Sequence, residues 1–128
     1  KNAKEFVSDA LGNKKTIYGF GHKIYKESDP RVAQILEVCK GAKFESENIT
    51  LVQEMEKEIE QQKGKKIVLN VDGLMAAILL EMGFNPLQGK GLFIIARTPG
   101  LVAQVVEELE SDDHVRRINE DEIKYEGK

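Results

Sequence analysis

Apolar residues return along most of this chain at the spacing of helices that turn one face inward. Residues 2–11 form a first such run, closed by Gly12 and Asn13, two residues that tolerate the left-handed backbone at a helix C-terminus. Residues 16–25 break the pattern: they hold β-formers, but glycines interrupt them too often for a regular strand. Asp29 then precedes Pro30, whose missing N–H costs nothing at a first helical position, and Val32, Ile35, Leu36 and Cys39 follow at helical spacing up to Gly41. A third helix is expected from Asn48, burying Val52, Met55 and Ile59 and dissolving in the polar run 61–66. Ile67, Val68 and Leu69 read as an extended lead rather than a strand, since no β partner is evident.

Residues 73–82 are apolar on every side except at Glu81, the mark of a helix surrounded by others, and Gly83 stops them. They are predicted to be the central and most buried helix. Residues 92–96 should continue as a buried segment. A last helix is expected from Pro99 to residue 109, with Leu101, Val102, Val105, Val106 and Leu109 facing in. Beyond Glu110 the pattern fails. The prediction is a mainly α, bundle-like domain over residues 1–110 and an extension, 111–128, that packs on something outside this chain.

Composition narrows the function classes. A 128-residue chain with 41% apolar and 32% charged residues has the size and balance of one soluble globular domain. A formal charge of −3 speaks against general nucleic-acid binding, and the apolar stretches are too short and interrupted to span a membrane. No secretory pattern opens the sequence, and the single Cys39 has no internal disulfide partner, so a reducing, cytoplasmic setting is expected. Asp112, Asp113 and His114 are adjacent, and adjacent residues rarely converge on one ion; no metal site is expected.

Charge is uneven in one place that matters. Lys14, Lys15, Lys23, Lys26 and Arg31 outnumber Glu27 and Asp29 within one short segment of an acidic protein. That segment includes Gly-Phe-Gly-His-Lys-Ile-Tyr-Lys, residues 19–26, so a backbone able to approach a ligand closely carries a histidine able to donate a hydrogen bond or move a proton. Asp72, in Asn70-Val71-Asp72-Gly73, has two readings: an N-cap for the helix that follows, or a partly desolvated carboxylate suited to act as a base. Arg31 and Arg97 each stand beside a proline expected to begin a helix, where the helix dipole disfavours a cation. A bound dianion would compensate.

Three segments, Gly-Phe-Gly-His-Lys-Ile-Tyr-Lys with Asp29-Pro30-Arg31, Asn70-Val71-Asp72, and Ile95-Ala96-Arg97-Thr98-Pro99-Gly100, together resemble the successive signatures of the citrate synthase superfamily, including its citryl-CoA lyases. The resemblance covers about residues 1–110 and implies the small, helical domain of that fold, with residues 111–128 as its C-terminal extension. It implies that His22 hydrogen-bonds the ketone oxygen of oxaloacetate or the hydroxyl of citrate or citryl-CoA. Asp72 would exchange a proton with the methyl carbon of acetyl-CoA, and Arg31 and Arg97 would hold carboxylates. Phe20, Gly21 and Lys26 would meet CoA. CoA is then a substrate, and no tightly bound cofactor is expected.

The resemblance also implies partners: a large domain of the same protein, which in the family supplies a further catalytic histidine, and a second copy in a homo-oligomer. No histidine precedes His22 here, so the 128 residues alone are expected to be inactive. Gly73-Leu74-Met75 stands where many synthases have an aromatic residue and a serine, and Gln104 replaces a common histidine, which tilts the expectation toward the lyase branch. The competing expectation is a non-catalytic module that binds CoA and carboxylates.

Overall fold

The computed structural model describes residues 2–110 and 119–124. Among these residues five helices follow one another, α1 (Ala3–Gly12), α2 (Pro30–Gly41), α3 (Glu47–Lys63), α4 (Val71–Glu81) and α5 (Pro86–Glu110), and a 3-10 turn covers Glu120–Glu122. Among the described residues the only β feature is an isolated antiparallel bridge between Phe20 and Leu69. The chain divides into two compact units, Lys1–Lys90 and Gly91–Lys128.

Short polar side chains start the helices of the first unit, as the energetics of unpaired N-terminal N–H groups require. Asn2 accepts from the Glu5 N–H, Asp29 from Arg31, Ser46 from Ile49, and Asn70 from both Asp72 and Gly73. The third helix does not dissolve at residue 61: Gln61, Gln62 and Lys63 are good helix formers, and Gln62 donates to the Ser8 hydroxyl of α1 at 3.0 Å. Gly64 ends it in the left-handed region, at φ 64°.

Within this unit α3 packs against α1 and α4, and α4 also meets α2. Val7, Met55 and Ile59 centre one apolar cluster; Ile49, Leu69, Leu74 and Ala77 centre a second, and the half-buried Phe20 packs against both. Gly73, Leu74 and Ala77 of α4 are buried as expected, but its last turn is not: Leu80 and the following Met82 are 49% and 57% exposed. Glu81, the one acid in that run, has a structural use. Its carboxylate accepts from the Ser46 hydroxyl at 2.7 Å and from the Asn48 amide at 3.0 Å, clasping the end of α4 to the start of α3.

The second unit departs most from expectation. Instead of a buried segment at 92–96 and a new helix at Pro99, α5 runs through Pro99 without a break. Phe93, Ile94 and Ile95 are exposed, as are Leu101, Val102, Val105, Val106 and Leu109. The spacing of Leu101, Val102, Val105, Val106 and Leu109 gives those five one side of the helix, but the only other described element of this unit is a three-residue turn, too small to cover that side. Residues 111–118 and 125–128, including the Asp112-Asp113-His114 cluster and most of the proposed extension, lie outside the described residues.

Candidate functional site at the start of α4

The loop bearing His22 is clipped to the first turn of α4 by a close crossing of backbones. Gly19 and Gly21 both take φ 89°, a region that side chains with a Cβ rarely adopt. A Cβ on Gly73 would lie 2.5 Å from the Gly19 carbonyl oxygen and 2.9 Å from its Cα, so glycine is needed on both sides of the crossing. Three hydrogen bonds hold it: Gly21 N–H to the Val68 carbonyl at 2.6 Å, Asn70 N–H to the Gly19 carbonyl at 3.0 Å, and the Asn70 side-chain amide to the Gly21 carbonyl at 2.9 Å. With Phe20 anchored between the two apolar clusters, the next residue but one, His22, has a fixed origin.

His22 is partly buried. Its Nδ1 accepts from the backbone N–H groups of Ile24 and Tyr25, both at 3.1 Å, which puts the ring proton on Nε2 and makes that atom a donor. The imidazole tilts over the Tyr25 ring, centroids 4.6 Å apart, and the guanidinium carbon of Arg31 lies 5.8 Å from the centroid of the same ring. Asp29, only 2% exposed, then takes Arg31 in a two-pronged pair, Nε at 2.9 Å and Nη2 at 2.7 Å. It also accepts from the backbone N–H of Arg31 at 3.1 Å and of Val71, the first residue of α4, at 3.2 Å. The hydrogen bond to the Arg31 side chain outweighs burial and holds the Asp29 carboxyl below the usual aspartate range, and the same bond raises Arg31 above its usual value.

Asp72 directly follows Val71. It is exposed, and its N–H is already satisfied by Asn70, so the N-cap of α4 is Asn70 and not Asp72. Among the described residues no group hydrogen-bonds its carboxylate, which stands in the first turn of α4 and within electrostatic reach of Arg31. Three of the expected residues, His22, Arg31 and Asp72, are thus joined in one contiguous cluster through Tyr25, Asp29 and Asn70. In the sequence Asn70 and Asp29 stand out only as neighbours of Asp72 and of Pro30. Their hydrogen bonds to Gly21 and to Val71 join segments far apart in the chain.

Arg97 belongs to the second unit, exposed, within α5 rather than at a helix start. The expected cation beside a helix N-terminus therefore holds for Arg31 alone. Lys26 is exposed and donates to the His22 carbonyl at 2.8 Å. Phe20 also lines an open pocket of about 460 Å³, whose walls include Leu11, Ile17, Lys14, Lys15 and Lys63. A larger concavity of about 720 Å³ lies apart from these groups, where the end of α2 meets the start of α3.

Residues 1–119 match the family model of the citrate synthase C-terminal domain. The chain belongs to the citrate synthase family. The peroxisomal citrate synthase of Dictyostelium discoideum is 36% identical over an alignment of 120 residues that covers 88% of this chain and 24% of that protein. Among solved structures, the citryl-CoA lyase of Hydrogenobacter thermophilus is 42% identical with a TM-score of 0.81, covering 100% of this chain and 51% of that one. The citrate synthase of Thermotoga maritima is 32% identical with a TM-score of 0.69, covering 98% and 34%. The fold is the all-helical citrate synthase C-terminal domain, and the chain spans about a quarter to a half of these family members. Among the described residues no helix is long and apolar enough to cross a membrane.

Proposed function

We propose that this chain is the small domain of an enzyme that makes or cleaves the carbon–carbon bond between the acetyl group of acetyl-CoA and oxaloacetate. The observation that supports it best is the joining of a donor imidazole, a guanidinium and an unpaired carboxylate at the start of α4. In cleavage, His22 Nε2–H holds the hydroxyl oxygen of citryl-CoA while its proton passes to solvent, and the bond to the acetyl carbon breaks. The oxygen becomes the ketone of oxaloacetate, and the electron pair passes to an acetyl-CoA enolate, which takes on carbon a proton that Asp72 has drawn from solvent. Condensation is the reverse: Asp72 removes the methyl proton, and the ketone oxygen, steadied by His22, becomes a hydroxyl by taking a proton from solvent.

Arg31 and Arg97 would bind the carboxylates. CoA would lie against Phe20 and Gly21 with its phosphates toward Lys26, and the neighbouring pocket with Lys14, Lys15 and Lys63 offers apolar floor and cationic rim of the kind a nucleotide phosphate favours. Greater identity to the citryl-CoA lyase than to the Thermotoga synthase supports the lyase direction. The rest of the active site would come from a large domain, with the exposed side of α5 and the residues after it facing that domain or a second subunit. An unpaired Cys39 suits the reducing cytoplasm.

Full-length protein should release acetyl-CoA and oxaloacetate from citryl-CoA, or form the bond from those two. The 128-residue chain should do neither, since losing even one group that stabilises the thioester oxygen costs about 10²- to 10³-fold. Binding of CoA and citrate by the full-length protein without turnover in either direction would favour the non-catalytic module instead.

A further inference from the structure

We propose that Asp29 is a positioning residue that aims Arg31 at the ligand carboxylate. The inference rests on the proposed assignment of Arg31 and adds what fixes that arginine. Capping accounts for only one of the four hydrogen bonds Asp29 accepts, the one from the Arg31 backbone N–H. Two others occupy the Nε–Nη2 edge of the guanidinium, and the fourth reaches Val71 at the head of α4. With that edge held on one carboxylate and the Tyr25 ring against the guanidinium, Nη1 is the end left for a ligand, and no described residue engages it. The Arg31 side chain is 45% exposed while that of Asp29 is wholly covered, so the pair offers solvent its cationic partner only.

Two consequences follow from this geometry. A long, flexible side chain is ordered before any ligand arrives, so less entropy is lost on binding. The guanidinium is also kept on the Asp29 side and away from Asp72, the other carboxylate within its electrostatic reach. Because Asp29 holds α4 through Val71, the aim of Arg31 is set in the same frame as the residue that carries Asp72.

The test is a double-mutant cycle in the full-length protein, reading citrate affinity by calorimetry and kcat for citryl-CoA cleavage. Asp29→Asn keeps one oxygen to cap the Arg31 N–H, gives up the second oxygen that accepts from Val71, and removes the charge that grips Arg31. It should weaken citrate binding about tenfold, the size expected for one charge-assisted hydrogen bond lost at Arg31, and change kcat by no more than about twofold. In an Arg31→Gln background the same substitution should have no further effect on citrate. Independent, multiplying losses would overturn the proposal, as would a fall in kcat with citrate affinity intact. If Arg31→Gln alone leaves citrate affinity unchanged, the carboxylate role of Arg31 fails first, and Asp29 with it. Should Asp29→Asn not fold, Asp29→Ser, which also caps, carries the test; failure of both to fold makes Asp29 a folding residue and overturns the assignment.

Discussion

Replacing Gly73 by alanine should strike the crossing that seats the His22 loop. The new Cβ would meet the Gly19 carbonyl oxygen at 2.5 Å, the Gly19 Cα at 2.9 Å and the Leu69 Cδ1 at 2.8 Å. The leucine methyl can turn aside, but the two Gly19 atoms are backbone. Opening the oxygen contact from 2.5 to 3.4 Å asks for a shift of about 0.9 Å, which would stretch the 3.0 Å Asn70-to-Gly19 hydrogen bond beyond bonding distance. Overpacking of this kind costs about 1–3 kcal/mol and the lost bond about 1 kcal/mol, while alanine's better helix propensity returns about 1 kcal/mol. The net loss is about 2 kcal/mol, or about 8–16 °C in Tm for a unit of this size. Thermal unfolding followed by far-ultraviolet circular dichroism measures it. Gly12→Ala, where nothing lies within 4 Å, is the control and should unfold no earlier than wild type. A Gly73→Ala protein as stable as that control would refute the close crossing.

Asn70→Ala removes a cap for two N–H groups and the clip on Gly21, so the urea midpoint should fall by the equivalent of about 2–3 kcal/mol with an unchanged slope. Asp29 has a lowered folded-state pKa, so its stabilisation is complete above the unfolded aspartate value of about 3.9 and is lost as pH falls through the lower folded value. Stability of Asp29→Asn should therefore fall less steeply than wild type below about pH 4; parallel curves would count against the ion pair. CoA affinity of the full-length protein should drop with added salt and with Lys26→Glu, and indifference to both would remove Lys26 from the site.

Helix starts were legible because capping is local: Asn2 and Asp29-Pro30 announce α1 and α2 within three residues. At α4 the same rule slipped by two positions, since Asn70 and Asp72 are both good caps and only the geometry gives the cap to Asn70 and leaves Asp72 free. The Asp29 link to Val71 and the Glu81 link to Ser46 span 42 and 35 residues, distances over which no local pattern speaks. α5 was misread for a different reason. A proline and an apolar stripe look the same whether the stripe meets this unit's own core or a surface beyond it, and a proline that a helix runs through looks the same as one that begins a helix.

The most direct test of the central claim is the rate of citryl-CoA cleavage by full-length Asp72→Asn protein, measured beside its Tm. The Asp72 side chain neither caps α4 nor hydrogen-bonds any described residue, so the fold should keep its Tm within about 2 °C, a change under about 0.5 kcal/mol. Turnover should fall by about 10²-fold or more, the usual share of a general acid or base. Turnover within about twofold of wild type would contradict the assignment of Asp72 and, with it, the reading of the α4 N-terminus as the reacting site.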